Sequence, residues 1–285
     1  MVQLDTSWLQ HVQKPARYTG GEYNSIVKDH STVDITMALG FPDVYEVAMS
    51  HLGIKILYGL VNRREDAVAE RVFAPWHDME EEMRKRNIPL FSLETRTPIK
   101  DFDVLAFTLQ YEMSFTNILN MLDLAGIPMY AKDRDMDFPL LVCGGPCAYN
   151  VEPIADFFDI VSLGESEEWG DEFIDLLKVE KAKGFPGGKE AFLRKAAQIP
   201  GTYCPALYDV EYTEQGDFKS ITPRFEDVPA TIQKRIIEDV EHVFFPTKPV
   251  VPFLDIVHDR AVLELFRGCT RGCRFCQAGM LYRPV

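Results

Sequence analysis

Three cysteines near the carboxyl end of the chain have the types and spacing to do chemistry. The segment reads Arg267-Gly268-Cys269-Thr270-Arg271-Gly272-Cys273-Arg274-Phe275-Cys276. Its spacing is Cys-x3-Cys-x2-Cys, so three thiols fall within eight residues. Thiols this close must wrap one small object. Gly268 and Gly272 give the loop the backbone freedom to turn around it. Arg267, Arg271 and Arg274 are expected to offset thiolate charge and favour deprotonation. Three thiolates on one loop suit a cubic 4Fe–4S cluster with one iron left open. Structural zinc would want a fourth Cys or His close by. None lies between Cys276 and Val285, and His258 stands eleven residues before Cys269. The remaining alternative is three reduced core thiols.

The elements that must position this loop show in the periodicity. Val33, Ile35, Met37 and Leu39 alternate at strand spacing, and Gly40-Phe41-Pro42 ends the run. Leu52, Ile56, Leu57 and Leu60 share a helical face. Arg71 to Ala74 is a short strand, and His77 to Asn87 a polar helix. Phe102 to Phe107 reads as a buried strand. Ser114 to Ala125 reads as a helix closed by Gly126. Two more apolar strands, Phe138 to Cys143 and Phe157 to Leu163, end in Gly144-Gly145-Pro146 and Gly164. Glu167 to Leu177 is helical. This alternation predicts an α/β fold: a flavodoxin-like, doubly wound parallel sheet of five strands, with its binding crevice at the carboxyl ends. Lys183 to Lys189 has loop chemistry. Ala206 to Thr213 and Phe218 to Ile221 predict a hairpin, and Pro246, Pro249 and Pro252 stiffen a connector. Ala261 to Phe266 is expected as one more strand, delivering the cysteines.

The formal net charge is −14. Such a surface repels phosphate backbones and argues against broad nonspecific nucleic-acid binding. No apolar run is long enough for a membrane helix. The start lacks the basic and apolar regions of a secretory signal. A cytoplasmic location is expected, where the six cysteines would stay reduced.

Cys-x3-Cys-x-aromatic-Cys following a strand resembles the signature of radical S-adenosylmethionine (SAM) enzymes. Phe275 occupies the aromatic position and is expected beside the cofactor. The resemblance implies that Cys269, Cys273 and Cys276 bind three irons of a 4Fe–4S cluster, while the fourth chelates SAM. One electron, from a donor such as a flavodoxin or ferredoxin, would cleave SAM to methionine and a 5′-deoxyadenosyl radical that abstracts hydrogen from a substrate. Related enzymes modify RNA, so a nucleic-acid substrate stays open. The front domain resembles the cobalamin-binding-type domain that precedes many radical SAM barrels. Cys143-Gly144-Gly145-Pro146 matches its turn after the fourth strand. Gly164-Glu165-Ser166-Glu167 is similar to the turn after the fifth. By that resemblance Gly144 and Gly145 would lie against a cobalamin tail. The lower-ligand motif Asp-x-His-x-x-Gly is not met: in Met49-Ser50-His51-Leu52-Gly53 the Asp is missing and the Gly is one place early. His51 is therefore read as a helix-surface or helix-cap residue.

The resemblance covers nearly the whole chain, and the connector and the run from His258 through Arg283 resemble one uncharacterised subfamily of these fused proteins. It implies an N-terminal extension over 1–31, a cobalamin-binding-type domain over 32–180, a connector with a hairpin over 181–252, and the start of a radical SAM barrel over 253–285. A barrel takes on the order of 200 residues, yet only 25 run from Ala261 to Val285. The chain is thus expected to be the truncated front of a longer enzyme, inactive alone. Two other readings compete. One is a non-catalytic module for cobalamin or a nucleotide, with a vestigial cluster loop. The other is a small zinc-tail interaction protein. Among lesser features, Cys143 and Cys147 are read as buried free thiols. Trp76 and Trp169 are read as core anchors. Glu167-Glu168 is read as the start of a helix, favoured by its dipole.

Overall fold

A computed structural model describes residues 7–285. In chain order its principal elements are β1 (Ile35–Phe41), α1 (Tyr45–Ala48), α2 (Leu52–Asn62), β2 (Ala67–Phe73), α3 (His77–Arg86), β3 (Val104–Thr108), α4 (Phe115–Ala125), β4 (Leu140–Gly144), β5 (Ile160–Ser162), α5 (Glu167–Ala182), α6 (Gly188–Ala196), β6 (Thr202–Tyr203), β7 (Tyr208–Tyr212), β8 (Phe218–Pro223) and α7 (Ala278–Leu281). The fold is α/β around a six-stranded, mostly parallel sheet in the order β2-β1-β3-β4-β5-β6. The first five of these pair in parallel, and their order is the flavodoxin-like one.

Every residue of β1 and β2 is buried. The alternation at Ile35, Met37 and Leu39 marks β1, but Thr36 and Ala38 between them are buried too, as in a parallel sheet covered on both faces. The helices stop where their chemistry says they should. Gly126 at φ 67° and Asn87 at φ 53° turn left-handed after α4 and α3, satisfying carbonyls that the helix leaves open.

Three expectations need correction. The sheet has six strands rather than five. Tyr203 and Thr202 add antiparallel to Val161 and Ser162, and a two-residue strand is too short to carry a readable period. Ala261 to Phe266 is not a strand. No described strand lies beside it to complete a ladder, and Leu263 and Leu265 are 79% and 84% exposed. Trp169 is buried, but Trp76 is 44% exposed. The Arg17 guanidinium stacks over the Trp76 ring at 5.6 Å, so it is a surface cation–π partner. The hairpin is present as β7 paired with β8. Among the described residues no helix is long and apolar enough to cross a membrane.

The segment before β1 is bound into the fold. Trp8, Leu9, Val12 and Tyr18 are buried. Glu22 meets Arg71 of β2 at 2.8 Å, and Arg71 also holds Glu94 at 2.6 Å. Burial works against the Arg71 charge, but the carboxylates of Glu94 and Glu22 outweigh it and keep the guanidinium protonated. Arg71→Met would leave two buried carboxylates without a counter-charge. The expected loss is about 3–5 kcal/mol of unfolding free energy, read from the urea midpoint; a loss under about 1 kcal/mol would rule the triad out as an anchor.

Candidate functional site

Parallel pairing sends the carboxyl ends of β1 to β5 to one edge, and a cavity of about 510 Å³ opens there. That volume lies within the range of small-molecule sites. Its floor is apolar, built from Leu39, Leu57, Phe107, Val142, Trp169 and Phe173. Its rim carries His51, Gln110, Tyr149, Glu165 and Glu167. Lys234 to Ile236, Phe266 to Gly268 and Leu281 to Pro284 close over it.

Two glycine turns shape the rim. Gly145 has φ 103°, and a Cβ there would stand 2.8 Å from the Leu109 carbonyl oxygen. The turn can therefore dock against the end of β3, where the Leu109 amide donates to the Gly144 carbonyl at 2.7 Å. Gly164 has φ 107°, and a Cβ would fall 2.1 Å from the Arg235 carbonyl oxygen. Here a strap over 232–237 crosses the sheet edge and bridges in parallel to Gly164. The Glu165 amide donates to the Arg235 carbonyl at 3.0 Å. The Glu165 carboxylate in turn accepts from the Ile237 amide, and Arg235 spans Glu168 and Glu172 on α5 at 2.6 and 2.8 Å.

His51 caps the N-terminus of α2, as the helix-cap reading expects, but its ring faces the cavity rather than open water. The ring lies 5.5 Å from that of Phe41, and its Nδ1 is buried without a hydrogen-bond partner. Burial lowers its pKa, more than a hydrogen bond with Gln110 raises it. The early glycine of this segment has a local cause. A Cβ on Gly53 would come 2.7 Å from Cε1 of His51, so glycine makes room for the ring.

The cysteines divide into two groups. Cys143, Cys147 and Cys204 are buried, and burial pushes their thiols up, Cys147 to about 11. Cys269 is partly exposed, Cys273 and Cys276 are exposed, and all three are free. Among the described residues no three His, Cys, Asp or Glu side chains converge as a metal-ligand group. The structure thus places the three thiols on one open loop without gathering them. The donor set still suits an iron–sulfur cluster, since three accessible thiols share one loop and ligand sites commonly form only as the metal binds. Phe275 is 94% exposed. Arg267 departs from its expected role. Its guanidinium is taken up by carboxylates, Glu264 at 2.8 Å, Glu167 at 2.5 Å and Glu165 at 3.4 Å, so its charge is spent away from the thiols. Nothing in the sequence signalled this pairing across 100 residues.

A doubly wound sheet with a ligand cavity where the strand order reverses is a cofactor- or ligand-binding α/β class. Residues 53–205, more than half of the chain, match the family described as radical SAM proteins, N-terminal. The chain belongs to that family. The matched stretch runs from the foot of α2 to just past β6 and so contains the carboxyl ends of β2 to β5, both glycine turns and most of the cavity floor. An uncharacterized protein of Methanocaldococcus jannaschii is 26% identical over 251 residues, which make up 87% of this chain and 42% of that protein. The chain spans less than half the length of this curated relative.

Two outcomes follow from the packing at His51. Gly53→Ala should displace the ring and cost about 1–3 kcal/mol of stability by overpacking, measured by thermal melting with the ring followed by NMR. The depressed pKa of His51 means that the unfolded chain takes up its proton first on acidification. The stability His51 contributes is therefore complete above its ordinary pKa of about 6.5 and is lost as pH falls through the lower folded value. His51→Gln should flatten that part of the stability–pH profile; an unchanged slope would refute it.

Proposed function

We propose that this chain is the front part of a radical SAM enzyme whose 4Fe–4S cluster is held by Cys269, Cys273 and Cys276. When bound, that cluster supplies the electron for reductive cleavage of SAM to a 5′-deoxyadenosyl radical. The observation that carries the reading is the position of the cysteine loop. Phe266, Arg267 and Gly268 line the ligand cavity, and Cys269 is the next residue. The chain's own contribution is then to hold three thiols at the rim of a cavity with an apolar floor. The floor excludes water from whatever occupies it. The substrate, the electron donor and the cytoplasmic location belong to this proposal.

The cavity favours a second reading, a module that holds cobalamin or a nucleotide with or without the cluster. The Gly144-Gly145 turn and His51 line that cavity and would lie against such a ligand.

Anaerobic reconstitution with iron and sulfide separates the two. About four irons per chain, with a brown colour lost in air, are expected. Replacing Cys269, Cys273 and Cys276 together by Ala should abolish both. Zinc without iron after anaerobic purification would sink the cluster reading. Tight cobalamin binding that survives loss of residues 253–285 would favour the module.

A further inference from the structure

The loop that carries Cys269, Cys273 and Cys276 exposes most of its middle, where Arg283 donates to the Arg271 carbonyl at 3.0 Å, and is fixed at both ends. At its start, Arg267 is only 17% exposed and sits among three carboxylates. Glu264, three residues earlier, takes the Nε edge of the guanidinium at 2.8 Å and orients it. Glu167, the first residue of α5, and Glu165, in the turn before it, receive its other nitrogens at 2.5 and 3.4 Å. A planar guanidinium can serve several carboxylates at once, whereas an ammonium is a point charge. At the far end of the loop, Lys234 of the strap donates to the Leu281 carbonyl at 2.8 Å. Its Nζ also stands 5.9 Å from the centre of the Tyr149 ring. Between Arg267 and Cys269 lies Gly268 at φ 90°, where a Cβ would meet the carbonyl oxygens of Pro284 and Tyr282 at 2.6 and 2.8 Å. The Cys269 amide donates to the Tyr282 carbonyl at 3.0 Å, which closes the loop's neck. Beyond the neck, Arg271, Arg274 and Phe275 are all exposed.

We infer that Arg267 is a positioning residue: it plugs the cysteine loop into the socket of Glu165 and Glu167 and so registers the three thiols on the cavity rim, with Lys234 holding the other end. The socket carboxylates and Arg267 all line the cavity. A ligand in the cavity and the loop therefore share one set of contacts. The inference rests on the proposed cluster for what the tether is for; the tether itself is testable without iron.

The first test uses the iron-free chain and trypsin, which cuts after Arg271 and Arg274 in the loop. Cleavage there should be about tenfold faster in Arg267→Gln and in Glu167→Gln than in the unaltered chain, as loss of a charged hydrogen bond predicts. The double variant should be no faster than Arg267→Gln alone, because without the guanidinium Glu167 has no tether left to hold. Glu167→Gln keeps the shape of the side chain and guards against a folding defect in Arg267→Gln. Arg267→Lys should recover only part of the protection. Thermal midpoints should stay near that of the unaltered chain, since a tether at the rim leaves the sheet core untouched. Cleavage at the unaltered rate in both single variants, or additive acceleration in the double, overturns the tether. The second test loads the chain with iron and sulfide and follows iron release to a chelator. Faster release in the same variants supports the positioning role, and equal release overturns it. Failure of the unaltered chain to take up iron would count against the cluster proposal, while the trypsin result would still decide the tether.

Discussion

Parallel pairing about β1 is the constraint from which the site follows. β1 is hydrogen-bonded to β2 along seven residues and to β3 on its other side. Neighbours that run the same way can be joined only by crossovers, so every carboxyl end opens at one edge. The chain turns to opposite sides after β1 and β3, and the crevice forms between those departures. Close approach there demands small residues. Gly40, the next-to-last residue of β1, has the Phe107 ring where its Cβ would be, at 2.7 Å. The apolar floor of the cavity is thus the exposed end of the core itself.

Much of this was legible from residue patterns, for identifiable reasons. β1 and β4 are apolar runs ended by glycine and proline, β3 is a short apolar run, and α4 carries its own stop in Gly126. The Gly-Gly-Pro and Gly-Glu-Ser-Glu turns marked where strands end, and the structure puts both on the cavity rim. What escaped was structure made by contacts far apart in the chain. β6 is too short to have a period. The strap over 232–237 has no apolar repeat, because it is held by backbone bonds to Leu163, Gly164 and Glu165. Arg267 looked like a companion of the cysteines because it stands two residues from Cys269; apart from Glu264, its partners Glu167 and Glu165 are 100 and more residues away. Ala261 to Phe266 misled in the opposite way. Its composition is that of a strand, but a strand needs a neighbour.

Charge is arranged unevenly for a chain with a net charge of −14. The first turns of α5 carry Glu167, Glu168 and Glu172, which the helix dipole favours. Arg235 and Arg267 arrive from remote segments to meet them. The acidic N-terminus of α5 is therefore a docking point for two of the three segments that cover the cavity, and electrostatics helps to shut the crevice.

The separation of the six sulfurs sets how the molecule meets reactive chemicals. Three sit in the core, where burial holds them in the protonated, unreactive form. Three stand on an open loop within reach of solvent. An alkylating agent or peroxide applied to the folded, metal-free chain would therefore find its targets at 269, 273 and 276 first, while the sheet kept its shape. Damage would fall on the loop and spare the scaffold that carries it.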